Sequence, residues 1–244
     1  MLKSLPYIAL FLSCFTLANE VESGTARVMV PAFSAEYTIL HKSKAVGTAT
    51  RKLSYLDNGL AQYSYHTDIE WLIFSDTRDE ISQLKIDGNK VTPMRYEYKR
   101  EGTGSDKHYK WRYDIANNSA YNELKDRSKS IDFPVNIQDP LSYHLQHRLN
   151  MLTNPEQKHY VYPVVKTSGS IKNYVYQYDG EEELMLPYGL VKTIKLKREV
   201  IEKKRITYAW FAPELDYLLV KLQQIKGDVE QFEAQLKSVN GTSN

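Results

Sequence analysis

Hydrophobic and polar residues alternate along four successive segments between residues 180 and 236. In the first of them, residues 190–200, the even positions include four apolar side chains and the odd positions include three charged ones. A similar alternation returns at residues 206–210, 218–222 and 232–236. Side chains of a β-strand point to opposite faces in turn, so each segment is predicted to be a strand with one buried and one solvated face. Short polar connections join the segments, which favours antiparallel neighbours.

Aromatic residues lie on one face of two further predicted strands, at residues 62–71 and 107–115. In both strands every second residue is polar or charged. An aromatic ring offers a large apolar area, often with a polar handle, so six rings are predicted to line a concave surface for a lipid chain or a glycan. The alternative is that they fill the core of a closed barrel, which alternation does not exclude. The six residues are Tyr63, Tyr65, Trp71, Tyr109, Trp111 and Tyr113.

One segment, residues 139–153, has helical periodicity instead. Leucines recur every three or four residues from Leu141 to Leu152. Asp139 is placed to cap the first turn, and Pro140 suits the first helical position. The predicted fold class is therefore mainly β: a curved antiparallel sheet, shaped as a half-barrel or barrel, with one helix near residues 139–153.

Residues 1–18 have the layout of a cleavable secretory signal peptide. A positive charge at Lys3 precedes an apolar run, and small residues precede the predicted cut after Ala18. This layout predicts export to the periplasm. The alternative is a lipoprotein, because Cys14, the single cysteine of the sequence, could become the lipidated first residue.

The remaining chain is predicted to contain a polar leader at residues 19–33 and a single β-rich domain at residues 34–240. No long linker rich in glycine, serine or proline divides the second range. No segment after the signal peptide approaches the roughly 18 uninterrupted apolar residues that a spanning helix needs, so no transmembrane segment is predicted in the mature chain.

Composition and charge narrow the classes of partner. The formal net charge of +2 argues against nucleic acid as the main partner. The chain has 19 tyrosines and 7 phenylalanines, and this excess of tyrosine is typical of strands with half-buried faces. His144 and His147 are three residues apart on the predicted helix, but a zinc site needs a third and usually a fourth ligand. We interpret them as part of a polar helix face and predict no metal, no cofactor and no catalytic residue.

A basic cluster follows one predicted hairpin. Lys195 and Lys197 share a strand face, and Arg198 lies next to them. These three residues are predicted to contact an anionic group, such as a lipid headgroup or a polysaccharide. The alternative is a solvated face that discourages pairing between sheet edges.

Several short stretches carry a resemblance when they are taken in order: 37–39, 45–49, 93–98, 138–143, 180–182, 187–189 and 210–217. Together they resemble a family of bacterial envelope proteins known as domain of unknown function 3108, over roughly residues 34–238. Members look like exported β-rich proteins of Gram-negative bacteria, and the resemblance implies no activity or catalytic residues. The pattern is also similar to the half-barrels of periplasmic lipoprotein carriers, an analogy of fold that does not determine function.

These observations favour a noncatalytic protein that binds or chaperones an amphiphilic envelope component, such as a lipid or glycolipid, or an envelope protein. The first alternative is an envelope hydrolase that acts on glycan or peptide through paired carboxylates. It requires two of Asp68, Glu70, Asp114 and Glu181 to converge in a cleft. The second alternative is a structural partner in an envelope assembly, which an exposed apolar patch would favour.

Overall fold

A computed structural model describes residues 30–241, and its main element is one antiparallel sheet of 14 strands. The predicted signal peptide, Cys14 and most of the predicted leader lie outside the described residues. The strands are β1 (Phe33–His41), β2 (Lys44–Tyr55), β3 (Ala61–Trp71), β4 (Phe74–Asp87), β5 (Lys90–Gly102), β6 (Lys107–Asp114), β7 (Ser119–Asn122), β8 (Arg127–Ser130), β9 (His159–Val165), β10 (Ile171–Leu186), β11 (Gly189–Val200), β12 (Arg205–Ala212), β13 (Leu218–Lys226) and β14 (Val229–Asn240).

The sheet is a meander in which nearly every strand pairs with its neighbours in sequence. The order across the sheet is β8-β7-β6-β5-β4-β3-β2-β1-β14-β13-β12-β11-β10-β9. Pairing of β1 with β14 joins the two halves of the chain, so β8 and β9 are the edges. The predicted curved antiparallel sheet is confirmed, and it is open, since its two edge strands do not pair with each other.

The single α-helix of residues 30–241, α1 (Ser142–Thr153), belongs to the connection between these edges. Just before it, the backbone N–H of Gln138 donates to the carbonyl of Pro163, and the N–H of Val165 donates to the carbonyl of Gln138, both at 2.8 Å. Across the same seam, the indole Nε1 of Trp111 donates to the carbonyl of Thr167 at 3.1 Å. These bonds hold the approaching edges together without a strand pair.

The start of α1 differs from the prediction by three residues. One carboxylate oxygen of Asp139 accepts hydrogen bonds from the backbone N–H groups of Leu141 (2.8 Å) and Ser142 (2.6 Å). The backbone N–H of Asp139 donates in return to the Ser142 hydroxyl. Asp139 therefore stabilises a turn that includes Pro140, and the helix begins only at Ser142.

Side chains on every face of α1 are buried, because the sheet curves around it. Leu145 and Leu149 are at most 1% exposed. The guanidinium of Arg148 donates to the carbonyls of Leu215 and Asp216, in the β12–β13 connection. Gln146 accepts from the Val91 N–H and donates to the Asn89 carbonyl, next to the β4–β5 turn. These connections lie at one end of the sheet. The turns β1–β2, β3–β4, β11–β12 and β13–β14 lie at the opposite end, which we call the open end.

The predicted boundaries of the other strands need two corrections. Alternation at residues 174–178 and 183–186 predicts two strands, but β10 is continuous, because Gly180, with φ of 114°, absorbs a register shift against β11. The short strands β7 and β8 were not predicted, since four residues are too few for alternation to be recognised. Within residues 30–241, no helix is long and apolar enough to span a membrane.

Candidate functional site

A cavity of about 790 Å³ lies inside the curved sheet and extends from the start of α1 to the β11–β12 turn. One wall is built by successive strands, because each of them directs every second side chain inward. These side chains are Tyr37 of β1, Arg51 of β2, Tyr65 of β3, and Arg78 and Glu80 of β4. The facing wall contains Tyr143 and His144 of α1, Tyr174 and Tyr176 of β10, Arg198 of β11 and Thr207 of β12.

Arg51 is the most unusual residue of this cavity. It is 6% exposed, and its guanidinium lies 5.0 Å from the ring centroid of Tyr65 and 5.9 Å from that of Tyr63. No carboxylate of the described residues forms an ion pair with it, and its Nε has no hydrogen-bond partner among them. The two rings stabilise the cation in part. A buried charge that lacks an opposite charge is costly, so the site favours an anion.

The other charged residues make the cavity basic. Seven of the lining residues are lysine or arginine and three are glutamate, so positive side chains outnumber negative ones. Arg78 is paired with Asp76 at 2.6 Å, whereas the guanidinium of Arg198 packs 3.5 Å from the ring centroid of Tyr174. Burial lowers the pKa of His144 well below its ordinary value, so this imidazole is neutral at physiological pH.

Protonation of Glu80 reduces the negative charge of the cavity further. Its carboxyl accepts a hydrogen bond from the Tyr96 hydroxyl at 2.8 Å. Burial raises the pKa of Glu80 to about 7, and the Asp139 carboxylate contributes to the increase. A substantial fraction of Glu80 is therefore protonated at neutral pH.

The structure distributes the six predicted aromatic residues over four places. Tyr65 lines the cavity, Tyr63 and Tyr113 are buried in the main core, and Trp71 packs against the tilted ring of His41 near the tip of the β3–β4 hairpin. Tyr109 and Trp111 line a second cavity of about 590 Å³ beside β8. A strand advances about 3.3 Å per residue, so Trp71 lies roughly 20 Å along β3 from Tyr65.

The three predicted basic residues also separate. Arg198 lines the cavity, whereas Lys195 and Lys197 point to the other face of β11. The ammonium of Lys195 pairs with Glu182 at 2.8 Å and with Asp179 at 3.4 Å. Lys197 pairs with Glu199 at 3.0 Å. Both lysines are therefore neutralised within the protein.

The carboxylates considered for a hydrolase do not come together at either cavity. All four are exposed, and none lines the cavities described above. The residues are Asp68, Glu70, Asp114 and Glu181.

The two helix histidines do not form the polar face that the sequence suggested. His147 is 2% exposed and stacks on Phe211, with 4.7 Å between the ring centroids and 10° between the planes. Burial lowers its pKa to about 3. Across the described part of the chain, no three histidine, cysteine or acidic side chains are grouped so that they could hold a metal ion.

Sequence reasoning missed most of the cavity wall, including Arg51. A signal was present, because alternation predicts a strand at residues 46–55, in which Arg51 lies on the same face as Ala49 and Leu53. An arginine on the apolar face of an amphipathic strand is a marked exception to the pattern. Tyr174 and Tyr176 had the same alternation but no feature that set them apart from the other tyrosines.

The similarity to solved structures concerns the fold alone. A β-barrel-like protein of domain of unknown function DUF1849 from Brucella abortus aligns with a TM-score of 0.58 and 8% identity, over 89% of this chain and 100% of that chain. A candidate lipoprotein from Parabacteroides distasonis aligns with a TM-score of 0.34 and 10% identity, over 86% of this chain and 95% of that chain. None of the curated protein sequences is similar enough to this chain to count as a match.

A family comparison covers most of the sequence. The model of the family described as protein of unknown function (DUF3108) matches residues 21–234, which include nearly the whole sheet and all of α1. This match agrees with the ordered short stretches of the sequence, which run through both halves of the chain. The chain therefore belongs to the DUF3108 family.

Proposed function

We propose that this protein is a noncatalytic, extracytoplasmic binding protein that accommodates an amphiphilic molecule with an acidic group inside its sheet. The observation that carries the proposal is the buried guanidinium of Arg51, which faces the cavity without an ion-pair partner among the described residues. A phosphate or carboxylate of a ligand would supply the missing negative charge. Charge-assisted hydrogen bonds to such groups are among the strongest polar contacts in proteins.

The walls of the cavity also suit the apolar part of such a ligand. A volume of about 790 Å³ lies within the range of about 300–1,000 Å³ that is typical of small-molecule sites. Tyrosine rings contribute apolar area while their hydroxyls remain available to polar groups. The rings concerned belong to Tyr37, Tyr65, Tyr143, Tyr174 and Tyr176.

The predicted signal peptide at residues 1–18 supports export of the protein from the cytoplasm. A lipid or glycolipid of the cell envelope is then the favoured ligand class, and an acidic segment of an envelope protein is the alternative. The hydrolase hypothesis lacks comparable support, because Asp68, Glu70, Asp114 and Glu181 line neither cavity.

The proposal is tested by native mass spectrometry of the mature protein purified gently from the periplasm, followed by organic extraction. We expect wild type to release an acidic amphiphile of defined mass. Arg51→Gln should lower the bound fraction at least about tenfold, because it removes a charge-assisted bond. Lys52→Gln is the matched control, since Lys52 is exposed on the other face of the same strand.

Arg198→Gln provides a second variant if Arg51→Gln does not fold, because Arg198 is less buried and lines the same cavity. Circular dichroism of each variant verifies the fold. A wild-type protein without any extractable molecule, or a bound fraction that neither substitution lowers, would contradict the proposal.

A further inference from the structure

The open end of the sheet exposes apolar side chains at its hairpin tips. Leu72 and Ile73 form the β3–β4 turn and are 85% and 84% exposed, and Trp71 and Phe74 flank them. Contiguous exposed apolar residues on a protein surface mark interaction sites more often than chance. The neighbouring tips add Ile201, which is 78% exposed, and Val229, which is 50% exposed.

Contacts between these tips make them one surface. The His41 ring lies 4.6 Å from the Trp71 ring, between centroids. The backbone N–H of Lys42 donates to the Glu230 carboxylate at 2.9 Å. The backbone N–H of Gly227 donates to the carbonyl of Lys204 at 2.8 Å. We call residues 41–44, 71–74, 201–204 and 226–229 together the tip surface.

The backbone conformation of Leu72 indicates that a leucine is not required to form this turn. Its φ is 56°, in the left-handed region that glycine and asparagine adopt with least strain. Two-residue hairpin turns commonly carry Asn-Gly for this reason. In the isolated protein, the backbone strain and the solvent exposure of this leucine side chain are both unfavourable. An apolar environment outside the protein would stabilise the side chain.

The charges on the tip surface indicate which apolar environment fits. Five lysines lie on these turns, and none of them forms an ion pair within the described part of the chain. Two exposed acidic residues, Glu202 and Asp228, lie among them. This combination matches a lipid bilayer, because the acyl region accepts apolar side chains and anionic headgroups attract lysines. The lysines are Lys42, Lys44, Lys203, Lys204 and Lys226.

We infer that the tip surface docks onto a lipid bilayer that contains anionic phospholipid. The docked orientation places the cavity mouth at the membrane, because Ile201, Glu202 and Lys203 belong both to the tip surface and to the cavity lining. The inference rests on the tips alone and does not require a ligand in the cavity. Failure of one proposal therefore leaves the other intact.

The test is co-sedimentation of the mature protein with two kinds of vesicle, phosphatidylcholine alone and an equal mixture of phosphatidylcholine and phosphatidylglycerol. We expect tighter binding to the mixed vesicles, and weaker binding as the salt concentration rises. The variant L72N/I73G removes two apolar side chains and supplies a favourable turn sequence. It should weaken binding to the mixed vesicles at least about tenfold while the fold persists.

Two further variants separate the contributions. K44Q/K203Q/K226Q should reduce binding to mixed vesicles to about the level seen with phosphatidylcholine alone. M185S/L190S is the matched control, because Met185 and Leu190 are 73% and 57% exposed on the β10–β11 hairpin, away from the tips; it should bind as wild type does.

Three outcomes would overturn the inference. The first is that wild type does not bind mixed vesicles, and the second is that L72N/I73G binds as tightly as wild type. The third is a concentration-dependent dimer, measured by light scattering, that L72N/I73G abolishes, because a second copy would then occupy the tip surface.

Discussion

Burial changes the charge of several individual residues around the cavity. Burial raises the pKa of Glu80 to about 7 and that of Asp139 to about 6, although hydrogen bonds to Asp139 oppose the increase. Burial lowers the pKa of His147 to about 3, which keeps this imidazole neutral. Because Glu80 is partly protonated, the interior is more basic at neutral pH than a count of acidic and basic side chains suggests.

The pKa of Glu80 predicts a pH-dependent effect of Glu80→Gln. The unfolded chain loses the Glu80 proton near pH 4.5, whereas the folded protein keeps it until about pH 7. This carboxyl therefore destabilises the fold progressively as pH rises through that window. Glutamine removes the penalty and still accepts a hydrogen bond from Tyr96. The variant should gain about 2 kcal/mol of unfolding free energy relative to wild type between about pH 5 and pH 8.

Urea denaturation at several pH values measures this difference. Glu70→Gln is the control, because Glu70 is exposed on β3. A difference between Glu80→Gln and wild type that stays constant with pH would show that Glu80 does not keep its proton in the fold.

At the scale of elements, α1 acts as an internal support rather than as a surface helix. A surface helix buries one stripe of side chains. In α1, Leu149 packs in the main core, His147 packs in an aromatic cluster with Tyr160 and Phe211, and Arg148 bonds to the β12–β13 connection. The helix closes one end of the curved sheet, and its first residues form a wall of the cavity.

Leu149→Ala tests this role. Leu149 is 0% exposed, so truncation leaves a cavity among residues that the sheet holds in place. We expect a loss of about 2–5 kcal/mol in the free energy of unfolding, measured by urea denaturation. Leu124→Ala is the control, since Leu124 is 47% exposed in the β7–β8 turn, and it should cost about 0.5 kcal/mol or less. A loss below about 1 kcal/mol for Leu149→Ala would indicate loose packing around α1.

The whole molecule is held together by contacts that are distant in sequence. β1 pairs with β14 along seven residue pairs, from Ser34↔Asn240 to Leu40↔Glu233. The α1 connection spans the seam between β8 and β9, where Gln138 bonds on both sides of Val164. Neither half of the sheet has its complete set of neighbours without the other. We therefore expect residues 34–240 to unfold as one cooperative unit.

Three tryptophans can report on this expectation, because they lie in different regions. Trp71 lies near a tip, Trp111 at the seam, and Trp210 in the second half of the sheet, bonded to Glu182. Variants that retain one tryptophan, with phenylalanine at the other two positions, should each give a fluorescence transition that coincides with circular dichroism of the same variant. Separate midpoints for Trp111 and Trp210, each measured against its own circular dichroism curve, would reveal two independent units.

Much of the fold could be predicted from local pattern. Alternation in residues 62–71 and 107–115 predicted β3 and β6. The turn sequence Asp87-Gly88-Asn89, between alternating segments at 80–86 and 91–99, predicts the β4–β5 hairpin in the same way. The recurring leucines predicted α1 because helical periodicity is also a local property. The family was recognised for a related reason, since short ordered stretches survive in the sequence.

The candidate site could be predicted only in part. Tyr65 and Arg198 were among the proposed contact residues and do line the cavity. Tyr63 lies on the same strand face as Tyr65, and Tyr113 on the same face as Trp111, yet Tyr63 and Tyr113 are buried in the core. Alternation along a strand determines which face a side chain occupies, but not what lies opposite that face.

The sequence by itself determined most of the strands, the helix and the family, because each depends on residues close together in the chain. Only the tertiary structure decided that α1 lies inside the sheet and leaves a basic cavity beside it. That outcome depends on the β1–β14 pairing and on the curvature that brings β8 towards β9. The unpaired charge of Arg51 is likewise a property of three-dimensional surroundings, since a carboxylate from any strand could have neutralised it and none of the described residues does.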